Sequence, residues 1–135
     1  MTQEDINKYN PIIAVFMGYR LGELRQIGGD EPIPALFRRE ENANLKDFTF
    51  PHLLDYHSNW NALMEVVEKL WYMGYKVIIS QEGCDTYDKR PDGKYGNTIS
   101  CHSMSDDDDL RNENHRQAVY RSVVGVIEWL NNKNL

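Results

Sequence analysis

Between Ser58 and Ile79 the sequence switches abruptly from helical to strand-like patterning, and that switch limits the folds open to it. Trp60, Leu63, Met64, Val67, Leu70 and Trp71 recur at helical spacing, while Asn59, Asn61, Glu65, Glu68 and Lys69 fall off the stripe. Ser58 is a good N-cap for this helix, and Gly74 supplies a left-handed stop. Tyr75-Lys76-Val77-Ile78-Ile79 follows at once with β-branched residues and no helical repeat, so it reads as a strand covered on both faces. An amphipathic helix feeding directly into a strand requires a sheet for the helix to cover.

The remaining elements extend that unit. The segments EGCDTYDK and GNTISCHS flank the turn signal Arg90-Pro91-Asp92-Gly93-Lys94 and read as a hairpin. A two-residue turn at Asp92-Gly93 would set Cys84 opposite Cys101, whereas a three-residue turn with a bulge would slip the pairing by one. Ala118, Val119, Val123, Val126, Ile127 and Leu130 predict a last helix from about Asn112 to Asn132. Near the start, Thr2 and Asp5 form a capping-box variant ahead of Ile6, Tyr9, Ile12, Ile13, Phe16 and Met17, with Gly18 as the stop. Pro11 falls within that pattern, so the helix either begins at Asn10 or kinks at the proline.

From Arg20 to Phe50 the periodicity fails and Gly22, Gly28, Gly29, Pro32 and Pro34 punctuate the chain, which predicts a long irregular segment with at most a short strand. A chain of 135 residues suits one domain over 1–135. The expected fold class is α+β: a small antiparallel sheet, about three strands plus a short edge strand, layered between α-helices. Trp60, Leu63, Val67, Val123, Ile127 and Leu130 are the expected core. The irregular segment's apolar residues, Ile33, Leu36, Phe37, Leu45, Phe48 and Phe50, exceed what three helices and a short sheet cover, so self-association into a homo-oligomer is expected.

Two helical segments also carry a resemblance. Tyr56–Leu70 (YHSNWNALMEVVEKL) and Ala118–Asn131 (AVYRSVVGVIEWLN), with Phe16-Met17-Gly18 ending the first helix, resemble small phage and prophage proteins of the phage ABA sandwich type. The resemblance covers the two main helices and the strands between them. It implies a layered α-β-α fold and a bacteriophage origin, and it carries over no catalytic residue.

Charge and chemistry narrow the function. The net charge of −6, densest at Asp106 to Asp109, repels duplex DNA and anionic membranes. No segment has a signal-peptide pattern or the length of a membrane span, which predicts a cytoplasmic protein. The two cysteines are too few for a secreted disulfide framework. The four aspartates lack the alternating ligands, central glycine and closing glutamate of a calcium loop, and His52, His57, His102 and His115 are scattered, so no metal site is assigned. Nothing marks Cys84 with His102 as nucleophile and base. Gly28-Gly29 and Gly18-x-x-x-Gly22 fail as phosphate loops.

The expectation is therefore a non-enzymatic binding protein without a cofactor. Its partner is a small anionic, nucleotide-type ligand or, alternatively, a host effector or nuclease; a structural or regulatory phage role is the third reading. An anion needs a local cationic cluster, and Arg20, Arg38, Arg39, Arg90 and Lys94 lie in or beside irregular segments. Arg38 and Arg39 lead, because guanidinium bonds phosphate at two points, with Tyr56 or His57 as a stacking surface. The second choice is the hairpin around Tyr87, Arg90 and Lys94.

Overall fold

A computed structural model describes residues 2–24, 33–38, 48–89, 96–103 and 111–133. The chain is an α+β protein with small antiparallel sheets, and it divides into two compact units, Met1–Asp55 and Tyr56–Leu135.

The first unit opens with α1 (Gln3–Phe16). Thr2 and Asp5 make both bonds of the capping box, the Asp5 N–H donating to Thr2 Oγ1 at 3.2 Å and the Thr2 N–H to Asp5 Oδ2 at 3.3 Å. The helix runs through Pro11, starting well before Asn10, and ends at Met17 ahead of Gly18 at φ 107°. Asn10 is buried, and its amide donates to the Leu54 carbonyl at 3.0 Å, pinning the 3-10 turn Pro51–Leu53 to the helix.

The stretch expected to be irregular contains a sheet. β1 (Tyr19–Leu24) pairs with β2 (Ile33–Arg38), and β2 pairs with the short β3 (Phe48–Thr49), all antiparallel. Leu36, expected to seek cover from another chain, is fully buried beside Ala35. Pro34 is tolerated because β3 reaches only Leu36 and Phe37, leaving β2 with one partner strand at the proline.

The second unit is the helix–meander–helix read from the sequence. α2 (Trp60–Tyr72) leads to β4 (Lys76–Ser80), β5 (Gly83–Tyr87), β6 (Thr98–Ser103) and α3 (Arg111–Lys133), with strand order β4-β5-β6. The N-cap is Asn59 rather than Ser58, its side-chain oxygen accepting the Asn61 and Ala62 N–H groups at 3.0 and 3.3 Å. α2 packs on β4, α3 on β5 and β6, and the helices on each other. Val77, Cys84 and Thr86 share the buried face of the sheet. Leu63, Val66, Val67, Leu70, Val119, Tyr120, Val123, Val126 and Ile127 complete the core. Trp60 and Leu130, expected in that core, are only half-buried, as are Ile78 and Ile79 of the strand expected to be covered on both faces.

One polar peg fixes α3 on the sheet and a second ties β5 to β6. Ser122 Oγ, fully buried, donates to the Cys84 carbonyl at 2.8 Å, and Thr86 Oγ1 donates to the Ser100 carbonyl at 3.4 Å. Gly125 lets α3 approach, since a Cβ there would lie 2.8 Å from Ser100 Oγ. Among the described residues, no helix is long and apolar enough to cross a membrane.

Candidate functional site

The direction of the second unit's elements gathers one group of side chains at a single end. Trp60 meets His115 edge-on at 5.7 Å between ring centroids, and Tyr75 meets Trp129 edge-on at 6.2 Å. The first contact joins the starts of α2 and α3 and the second joins the residue just past Gly74, the stop of α2, to the last turns of α3, so the helices run in the same direction. β5 is antiparallel to β4, which follows α2 directly, so β5 exits where both helices finish.

At that end two cations flank a pair of rings. Lys89 Nζ sits 4.9 Å from the Tyr75 ring centroid, Tyr75 abuts Trp129, and Lys133 Nζ sits 4.8 Å from the Trp129 ring. Each cation–ring contact is worth about 0.5–1 kcal/mol at an exposed site, enough to bias a lysine toward its ring. Gly74 serves twice: its φ of 98° ends the helix, and Lys89 Cδ lies only 3.5 Å from where a Cβ would stand. Tyr75 is 4% exposed and forms the floor under Lys89. Burial, and secondarily Asp88, hold its phenol above the ordinary value. The Lys89 N–H donates to the Asp88 carboxylate at 2.7 Å, fixing the strand exit. In the last turn of α2, Tyr72 is 90% exposed and Trp71 is 46% exposed although its indole N–H donates to the Val77 carbonyl at 3.2 Å. Lys76, also exposed, stands opposite Tyr87.

The residues singled out from the sequence are divided by this arrangement. Tyr87 lies on β5 at the same end as the ladder, and Arg90 and Lys94, from the connection leading away from it, lie outside the described residues. Arg39 lies outside them too, and Arg38 is described only as the end of β2, paired with Tyr19. Arg20 is exposed in the first unit, its guanidinium 5.2 Å from the Phe37 ring. Tyr56 is 8% exposed, so its ring belongs to the core and offers little stacking face. His57 is half-buried near the start of α2, where its carbonyl accepts from Arg116 Nε at 3.0 Å. Lys89, Tyr75, Trp129 and Lys133 were not picked out from the sequence, since they sit on three separate segments. The available signal was a lysine at or just past an element's end, Lys89 after β5 and Lys133 closing α3.

Other reactive groups are arranged for structure. The register puts Cys84 opposite His102 and Asp85 opposite Cys101, so the cysteines occupy opposite faces of the sheet and both are free. Burial pushes the Cys84 thiol up to about 11. Hydrogen bonding to Asp85 holds the exposed Cys101 thiol above its ordinary value. His102 is held below the usual histidine value by burial and then by Arg121. His115 Nε2 is buried with no hydrogen-bond partner among the described residues. No group of three or more His, Cys, Asp or Glu among the described residues is placed to hold a metal ion. The acidic run Asp106 to Asp109 lies outside them.

Neither a family model, nor a curated protein, nor a solved structure matches the chain.

Proposed function

We propose that the chain is a non-catalytic binding protein that captures a small, anionic, nucleotide-type ligand at the finishing end of α2 and α3. The observation that carries this reading is the ladder Lys89–Tyr75–Trp129–Lys133, with the exposed rings of Tyr72 and Trp71 in the last turn of α2. An ammonium held over a ring is positioned for phosphate, and a solvent-facing aromatic offers a base a flat apolar partner. In a chain of net charge −6, lysines at one end supply the local attraction that the average field denies. The resemblance to phage ABA sandwich proteins adds the context: a phage accessory protein acting in the host cytoplasm, sequestering a host signal as a homo-oligomer.

Incubating the protein with a nucleotide-rich bacterial extract, reisolating it, denaturing it and identifying the released molecules by mass spectrometry tests this directly. An intact phosphorylated nucleoside compound is the expected result. A chemically altered one would replace sequestration with catalysis. Release of nothing, with a host protein co-purifying, would replace it with a protein-interaction role.

A further inference from the structure

We propose that the ladder is built for a short single strand of nucleic acid rather than for a lone nucleotide, two of its phosphates meeting Lys89 and Lys133 while a base stacks on Tyr72. This rests on the reading that the site takes a nucleotide-type anion, and it names the class of that anion. Three observations carry it. The first is that the cations come as a pair separated by two rings, Lys89 on Tyr75 and Lys133 on Trp129. A monophosphate engages one ammonium and leaves the other idle, whereas a strand repeats its charge and engages both.

The second is the exposure of Tyr72, at 90%, on the last residue of α2. A ring so exposed adds almost nothing to the core, and with half-exposed Trp71 it stands in the last turn of α2, at the end of the unit where the lysines lie. Single strands present unpaired base faces to such surfaces, and stacking is tolerant of sequence because every base has a π-face. The third is the acidic balance of the chain as a whole. A duplex hides its base faces and brings dense charge over a long surface, which a net charge of −6 repels. A strand a few nucleotides long touches only the lysine-bearing end.

The test is a titration of the full chain with tetrathymidylate, tetrauridylate, thymidine monophosphate and a twelve-base-pair duplex across a salt series. Tetrathymidylate should bind at least about tenfold tighter than the monophosphate, with log affinity falling against log salt at a slope of about −1.4 for two engaged phosphates. Lys89→Gln and Lys133→Gln should each remove about 0.7 of that slope. Tyr72→Ala should weaken the strand by about 5- to 150-fold and leave the unfolding midpoint unchanged. Preference for the uridylate strand would assign the site to RNA, and equal binding to either backbone. Equal binding of monophosphate and strand, with a slope for one phosphate, overturns the strand proposal and leaves the nucleotide reading standing. Binding of neither overturns both. Strand binding that ignores all three substitutions, or tight duplex binding, places the nucleic-acid contact elsewhere and overturns this site.

Discussion

Gly125 sits where α3 passes close to Ser100 of β6, and two opposed effects meet there. Alanine would favour the helix by up to about 1 kcal/mol. Its Cβ would lie 2.8 Å from Ser100 Oγ and 3.1 Å from Ser100 Cβ, and the Ser100 side chain is too short to swing far. Overpacking of that kind costs about 1–3 kcal/mol, so Gly125→Ala should destabilise the protein in urea, and by less in a Ser100→Ala background. Stabilisation by Gly125→Ala alone would show that the helix and sheet are not so close. Cys84 gives a second residue-scale prediction. Its thiol is raised from 9.0 to about 11, chiefly by burial, with the neighbouring Ser122 hydroxyl opposing and Asp85 and Cys101 adding. The unfolded chain loses that proton first, so the contribution is complete below pH 9 and is lost as pH rises towards 11. Within that window stability should fall by on the order of 1.4 kcal/mol per pH unit more in the parent than in Cys84→Ala. Parallel curves for the two proteins would rule this out.

Among the elements, α1 tolerates a residue that helices usually exclude. Pro11 lies within Gln3–Phe16, where it removes a backbone donor and crowds the preceding turn. Pro11→Ala should therefore stabilise the protein by about 1–3 kcal/mol, the lower figure allowing for the extra freedom the unfolded chain gains. An unchanged or lower denaturation midpoint would mean that the ring packs better than its backbone cost. The capping box at Thr2 was readable, but whether it would win against the proline was not, because buried Asn10 gains its partner at Leu54, far along the chain. The same non-locality hid the first sheet. Leu21 is 61% exposed, the Phe37 ring lies across Gly22, and Pro34 interrupts β2, so neither strand shows clean alternation. α2, β4, β5, β6 and α3 were legible because each carries its own stripe or turn signal. The hairpin register was left between two alternatives. Tyr87 pairs with Thr98 as a two-residue turn would have it, and the shift between Thr86 and Tyr87 then moves Cys84 opposite His102. Of the candidate site, Tyr87 was singled out from the sequence and lies on β5 at the ladder's end, but Tyr75, Lys89, Trp129 and Lys133 meet only through the parallel run of α2 and α3.

At the scale of the whole chain, the second unit holds within itself what a domain needs. Its core draws on α2 through Leu63, Val66, Val67 and Leu70, on the sheet through Val77 and Cys84, and on α3 from Ala118 to Ile127. Its polar pegs, Ser122 to Cys84 and Thr86 to Ser100, have both partners within Tyr56–Leu135, and so do all four members of the ladder. A domain of that length is near the lower end of what one hydrophobic core sustains, with a stability of about 0.05–0.15 kcal/mol per residue. A fragment covering 56–135 should therefore fold alone, giving a cooperative urea transition with well-dispersed amide resonances. It should also bind the nucleotide-type ligand within about threefold of the full chain, since every group assigned to the site remains. A fragment that folds but binds more than about tenfold weaker would show that residues before Tyr56 contribute to the site. A fragment that fails to fold would show that the second unit's core needs the first unit to close it.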